Sequence, residues 1–402
     1  MPASNDSVVT GDFPAKNCLY CGKDKPIAEF SLEHIFPDSL GGSLCSDLFK
    51  TRRVCQRCNN LSGLFIDGPF IKSWFRNNHD AVASRDYLTL DSQDSTLPLI
   101  YMGEIRAIST TDEVCESWLG PCGEHVYHFR QRDDERFATY LGGDPIARQK
   151  DTGRAYLALT VTHPWWISLA LRSFKAHFRR ARRYALNFSI TDDPKDSPFV
   201  RAPDAQAQID IDKIQSLGNG PRDVNMSIGV NPEARFMAKV ARAVGYNLFG
   251  DQFLTTAYAA HLKDAMWEQD LERANAIPIY GTGFLGVPAD SAGNLLSWRG
   301  AYTIAIMPSK DKLGLHLFTP AGRSAHIAVS DDPGLWRETT TLHAGQVYVV
   351  APQAKKFVGP IPLLEYAAHL TGSWKQPALL ELEACRLDPS LLPPRDQAGQ
   401  PS

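Results

Sequence analysis

The sequence predicts an α+β protein, with a short metal-stapled N-terminal unit ahead of a larger region of mixed helices and strands. Three observations carry that expectation. Two Cys-x-x-Cys pairs, Cys18–Cys21 and Cys55–Cys58, sit near the N-terminus. A stretch from His163 places apolar residues at helical spacing, and the last third is rich in short alternating runs. The 402 residues suggest two or three domains, and 43% hydrophobic against 22% charged residues allows a sizeable core.

The cysteine pairs come first. Two such knuckles can hold one tetrahedral zinc ion through four thiolates, stapling a segment too short to build a core by itself. The stretch between Cys21 and Cys55 is longer than an ordinary zinc ribbon spans, which leaves room for an inserted hairpin. Ala83–Gln93 reads as a polar connector leaving this unit. Beyond it, Leu97–Ile105, Val126–Arg130 and Tyr156–Thr162 alternate as strands do.

His163-Pro164 opens a long helix reaching Ala185, with Ile167, Leu171, Phe174, Phe178, Ala181 and Ala185 along one face. Residues 189–230, with their prolines and Gly218-Asn-Gly-Pro221, read as a long loop crossing. Asn231-Pro232-Glu233 is an N-cap with proline at the first helical position, starting a second helix through Phe236, Val240 and Val244. Ala257–Trp267 reads as a third. Strands follow at Ile277–Tyr280, Tyr302–Met307, Leu313–Phe318, His326–Val329 and Val347–Ala351, with Ser309–Lys312 as a hairpin turn. Residues 1–13 and the proline-bearing residues 387–402 read as flexible tails.

Between the knuckles lie Glu33-His34-Ile35-Phe36-Pro37 and Gly41-Gly42, and the second pair runs into Asn59-Asn60. Histidine exchanges a proton near neutral pH, and Glu33 and Asn59 offer hard oxygen ligands. This ordering resembles the HNH nucleases, in the subgroup whose ββα-metal unit is braced by a four-cysteine zinc. The resemblance covers roughly residues 14–75, inside a unit taken as 14–82. It implies phosphodiester hydrolysis with His34 as general base, and a divalent ion, Mg2+ first with Mn2+ or Ni2+ as alternatives, held by Glu33 and Asn59. The alternative for Asn59 is a cap on the following helix, and Asn60 is the weaker candidate ligand. The family also places an asparagine on the second strand, orienting the loop of the base. Lys50 stands at that position here, with Asp47 the nearest comparable side chain, so the middle asparagine is displaced or absent. Asp67 resembles a family feature and reads equally well as an ordinary carboxylate after a helix.

The net charge of −3 leaves any nucleic-acid surface to local basic patches. Lys50, Arg52, Arg53 and Arg57 form one around the second strand and knuckle. Arg172, Lys175, Arg179 and Arg183, with Arg180 and Arg182, form another on the predicted long helix, readable as a phosphate-tracking stripe or as a solvated face. The remaining cysteines, Cys45, Cys115, Cys122 and Cys385, read as small apolar residues. Gly281-Thr-Gly283-Phe-Leu-Gly286 matches a dinucleotide fingerprint by letter, but turn chemistry follows where a helix is required. His163, His316, His326 and His343 share no metal spacing, and Trp165-Trp166 reads as core packing. There is no apolar leader and no run of membrane-spanning length, so a cytoplasmic protein without a membrane partner is expected.

The expected function is a metal-dependent endonuclease acting on DNA, double-stranded in preference to RNA, with structural zinc. In one alternative, residues 83–386 form a sensor that gates the nuclease in antiviral defence, with a small-molecule activator and homo-oligomerisation as its consequences. In the other, the protein is a zinc-stabilised nucleic-acid-binding module without cleavage.

Overall fold

The structure, a computed structural model, describes residues 15–73, 76, 80–88, 96, 97, 99–132, 153–188, 199, 200, 202–218, 223–225, 231–282 and 295–388. In the N-terminal unit, β1 (Ala15–Asn17) pairs with β2 (Asp24–Pro26), and β3 (Phe30–His34) pairs antiparallel with β4 (Lys50–Cys55). Helix α1 (Gln56–Ser62), a π-helical turn over Gly63–Asp67, and the short helices α2 (Gly68–Ile71) and α3 (Ala81–Ser84) follow.

The middle region is a six-stranded sheet with a helix on each face. Its strands are β5 (Ile100–Ile105), β6 (Glu113–Leu119), β7 (His125–Gln131), β8 (Arg154–Ala158), β9 (Arg182–Ala185) and β10 (Val224–Asn225), in the order β10-β5-β6-β7-β8-β9. Strand alternation explains the two-sided burial. Val126, Ala155 and Leu157 face a cluster with Phe174 of α4 (Pro164–His177), whereas Tyr127, Phe129 and Tyr156 face one with Ala207 and Ile214 of α5 (Ala205–Ser216).

The C-terminal region begins with α6 (Asn231–Phe249), α7 (Asp251–Leu254), α8 (Ala257–Trp267) and α9 (Leu271–Ala276). A second six-stranded antiparallel sheet follows: β11 (Gly281–Thr282), β12 (Tyr302–Ser309), β13 (Lys312–Phe318), β14 (Ser324–Ser330), β15 (Gln346–Ala351) and β16 (Lys356–Pro362), in the order β11-β14-β13-β12-β15-β16. One face packs on the helices Leu363–Thr371 and Pro377–Glu383 through Tyr366, Leu379 and Leu382.

The other face of this sheet shares a single core with α6, α8 and the N-terminal unit. Phe70 stacks on Phe236 of α6 at 3.9 Å, Phe36 meets Tyr302 edge-on at 5.4 Å, and Phe49 meets Tyr348 at 5.1 Å. The small unit thus buries its apolar face on the C-terminal region, because its own chain is too short to cover it.

A charged seam runs through this contact. Lys239 of α6 is fully buried, with its ammonium 2.7 Å from Glu33 and 2.7 Å from Asp67. The Tyr20 hydroxyl also donates to Glu33, at 3.1 Å. Burial opposes the charge on Lys239, but the two carboxylates outweigh it and its pKa is raised. Burial pushes Asp67 up to about 6, against the pull of Lys239, so it remains ionised at neutral pH.

Several expectations are corrected. The long helix ends at His177 rather than Ala185, because residues 182–185 pair parallel with β8 and Tyr184 stacks on Tyr156 at 4.9 Å. Its buried face is Trp166, Leu169, Ala170, Ser173 and Phe174, since it packs against both the sheet and the segment around Leu88 and Leu97. The expected loop 189–230 contains α5, capped by Asp204 accepting from the Ala207 amide. Ile277–Tyr280 is not a strand; the pairing begins at Gly281. Arg85, Asp86, Tyr87 and Leu88 of the expected polar connector are buried, and so is Leu387 of the expected C-terminal tail, whose amide donates to the Asp86 carbonyl. Residues 1–13 lie outside the described residues, as does Gly283–Gly293, which holds most of the discounted fingerprint.

Removing the ammonium strands two buried carboxylates, so Lys239→Met should destabilise the protein by about 3–5 kcal/mol. Denaturant unfolding checks this. Adding Glu33→Gln and Asp67→Asn to Lys239→Met should return part of the loss.

Candidate active site beside the cysteine cluster

The β3–β4 hairpin sets up the site. His34 is the last residue of β3, directly across from Lys50. The turn that follows requires both glycines. Gly41 has φ +93°, and a Cβ there would come within 2.7 Å of Val350 Cγ1. At Gly42 a Cβ would fall 1.6 Å from the Phe36 carbonyl oxygen. The chain therefore folds back tightly behind His34, and the Gly42 amide donates to the Pro37 carbonyl at 3.0 Å.

The fold brings the four cysteines together. One sulfur from each of Cys18, Cys21, Cys55 and Cys58 lies within 4.8 Å of the others. A tetrahedral S4 site with metal–sulfur bonds of about 2.3 Å has edges of about 3.8 Å, so modest contraction suffices to hold a metal. Three of the four are buried, and the Cys55 amide donates to Cys18 Sγ at 3.3 Å. The Cys58 thiol donates to Cys18 and holds the Cys18 pKa down to about 4, despite burial. A closed four-sulfur site braces the fold and leaves no position for a substrate.

His34 and Glu33 point to opposite sides, as adjacent strand residues do. The imidazole is about a quarter exposed, and its Nδ1 lies 2.9 Å from Asp38 Oδ1. A carboxylate at Nδ1 orients the ring and favours the tautomer with its proton on Nδ1. Sequence reasoning missed Asp38; its place four residues beyond His34, just after Pro37, was the signal that could have found it.

Residues 18–75 match the family model described as HNH endonuclease. The N-terminal unit is an HNH-type module. Neither the curated proteins nor the solved structures compared with the chain yield a match.

Within the HNH module the expected metal-binding pair, Glu33 and Asn59, is engaged in other contacts. Glu33 is only 2% exposed and is held by Lys239 and Tyr20, so its carboxylate is not open to an ion on the His34 side. Asn59, on α1, donates its amide to Ser31 Oγ at 3.0 Å and to the Leu32 carbonyl at 2.9 Å, tying the helix to β3 just before His34. It does not cap α1, whose first residue is Gln56. Asn60 is exposed on the same helix.

Two side chains hold the backbone around the position of the expected middle asparagine. Lys50 donates through Nζ to the Ser43 carbonyl at 3.0 Å, closing the loop behind His34. Asn247 of α6 donates to the carbonyls of Leu48 and Lys50, each at 2.9 Å, and lies 3.3 Å from that of Asp47. Asp47 thus enters through its backbone. Asn247 is too far away in sequence for any spacing rule to find.

The basic residues divide. Arg52 and Arg57 are exposed. Arg53 is committed to Asp251 at 2.7 Å and lies over the Tyr246 ring, docking β4 against the C-terminal region. Arg172, Lys175, Arg179 and Arg183 form no single helical stripe. Arg172 and Lys175 lie on α4, Arg179 lies in the turn after it and Arg183 on β9. Arg172 also buries two guanidinium nitrogens. Arg182 pairs with Asp204.

His316 and His326 are register partners on β13 and β14, with their rings 5.7 Å apart, but bring no third ligand among the described residues. Cys45, Cys115 and Cys122 are buried in apolar clusters. Among the described residues, no helix is long and apolar enough to cross a membrane.

Replacing Cys58 with serine should release a tightly held metal, roughly one ion per chain, and unfold the N-terminal module, because binding there supplies folding free energy. Elemental analysis of active wild-type protein beside Cys58→Ser checks both statements, and metal-free active protein would refute them.

Proposed function

We propose that this protein is a metal-dependent HNH-type endonuclease that hydrolyses phosphodiester bonds in DNA, with zinc in its cysteine cluster and His34 as general base. The supporting observation is the His34–Asp38 pair, partly open to solvent at the end of a strand hairpin braced by the cysteine cluster. Asp38 keeps the proton on Nδ1, so Nε2 can take one from water. The water oxygen then bonds to phosphorus, the bond to the 3′ oxygen breaks, and that oxygen leaves as an alcohol after taking a proton from solvent water, while the imidazolium returns its own proton to solvent. Asp38 also stabilises the imidazolium formed on the way. The divalent ion used by HNH nucleases would neutralise charge on the phosphate and the leaving oxygen. Glu33 is not among its ligands in this reading, because its carboxylate serves Lys239. Arg52 and Arg57 are among the exposed cations of the module and suit the phosphate backbone.

Plasmid cleavage with Mg2+, Mn2+ or Ni2+, beside a matched RNA, tests the reading. His34→Ala should lose at least about a hundredfold in rate while keeping its fold and metal content. Cleavage indifferent to that change would remove His34 from the mechanism. Asp38→Asn should lose less, about fivefold, because an exposed pair contributes only about 1 kcal/mol.

A further inference from the structure

A groove opens beside α1, against the second cysteine knuckle. Its volume is about 270 Å³, and its wall consists of Cys21, Lys23, Lys25, Cys55, Arg57, Cys58, Leu61 and Trp267. No carboxylate lines it, and the negative groups in its wall are Cys21, Cys55 and Cys58 of the four-cysteine cluster. Lys25 is paired with Glu29 at 3.3 Å, whereas Lys23 and Arg57 are exposed and have no ion-pair partner among the described residues. Trp267 is only partly buried, and its Nε1 donates to the Tyr20 carbonyl at 3.0 Å, which fixes the indole at the end of α8. The wall therefore combines an immobilised aromatic ring and a leucine with two unpaired cations.

A nucleobase with its flanking phosphates has that same division between apolar ring and anionic edge. A bare phosphate would not use the indole, and an apolar peptide would not use the cations. The groove also has a continuation. A more open depression lined by Glu29, Gln56, Arg57, Asn60 and Leu61 adjoins it, sharing Arg57 and Leu61. Both lie along α1, the helix that Asn59 ties to Leu32, two residues before His34.

We propose that the groove between the cysteine knuckle and Trp267 binds a single-stranded segment of nucleic acid, one base resting on Trp267 and Leu61 and its flanking phosphates on Lys23 and Arg57. The proposal rests on the nuclease reading and deepens it by giving the substrate an unpaired stretch. Lys23 belongs to the module and Trp267 to α8, so only the assembled chain presents the site.

The test is fluorescence anisotropy on the full chain carrying His34→Ala, with labelled single strands of about 12 nucleotides, DNA and RNA, beside a blunt DNA duplex. Adding Trp267→Leu should weaken single-strand binding about tenfold, and the duplex by much less. Trp267→Phe, which keeps an aromatic face, should recover most of the affinity. Lys23→Ala with Arg57→Ala should flatten the salt dependence by about 0.7 for each phosphate no longer neutralised. Metal content and thermal midpoint verify that each variant is folded. Should Trp267→Leu fail to fold, the Lys23/Arg57 pair decides alone. Folded variants that bind the single strand with unchanged affinity and salt slope would overturn the proposal. Because the readout is binding by a protein lacking the base, it stands apart from cleavage. A wild type that never cleaves but binds as described would remove the nuclease reading and leave the groove.

Discussion

The buried ammonium of Lys239 is the interaction on which the arrangement of the N-terminal module depends. A charge removed from water costs several kcal/mol unless it is paired with close, well-placed opposite charges. Lys239 meets that condition with two carboxylates, Glu33 from β3 and Asp67 from the π-helical turn, while Tyr20 from the first knuckle donates to Glu33. Three separate parts of the module are thereby referred to one atom of α6. A displacement of either carboxylate leaves a buried charge unpaired, which makes the docking geometry strict where apolar packing alone would tolerate sliding.

The rest of the interface repeats this logic along α6 and at the end of α8. Arg242 donates to the Leu19 carbonyl of the knuckle and to the Ala259 carbonyl of α8. Asn247 holds the backbone entering β4, opposite His34. Trp267, at the end of α8, holds the Tyr20 carbonyl. Each satisfies a backbone oxygen that a short, irregular chain cannot pair internally. The C-terminal region is accordingly part of the module's folding unit, and through Asn247 it adds to the support that Lys50 gives the loop after His34.

Glu33 and His34 illustrate how one dipeptide serves two purposes. Strand alternation sends the carboxylate inward to Lys239 and the imidazole outward to Asp38. The inward residue fixes the strand; the outward one stays partly exposed. Electrostatics is divided in the same manner, with Arg53 committed to docking on Asp251 and Arg57 left exposed on α1.

The sequence by itself determined what depends on short spacing. The two Cys-x-x-Cys pairs, the Glu33-His34 dipeptide, the Gly41-Gly42 turn and the α+β class were legible because ligand, turn and strand geometry are set within a few residues. Helix α8 and the strands around Ile304, Leu315 and Val349 were legible because their apolar periods are regular. Tertiary structure decided the rest. Residues 182–185 have a helical pattern but pair with β8, since strand hydrogen bonds and the Tyr184–Tyr156 stack outweigh local propensity. Strand β16 was hidden by Gly359, Pro360 and Pro362, which break its alternation. Lys239, Asn247 and Trp267 lie 172 or more residues beyond the groups they hold. Nothing in local sequence marks a lysine within an apolar helix as the partner of a distant glutamate; only the folded chain brings the two charges out of water together.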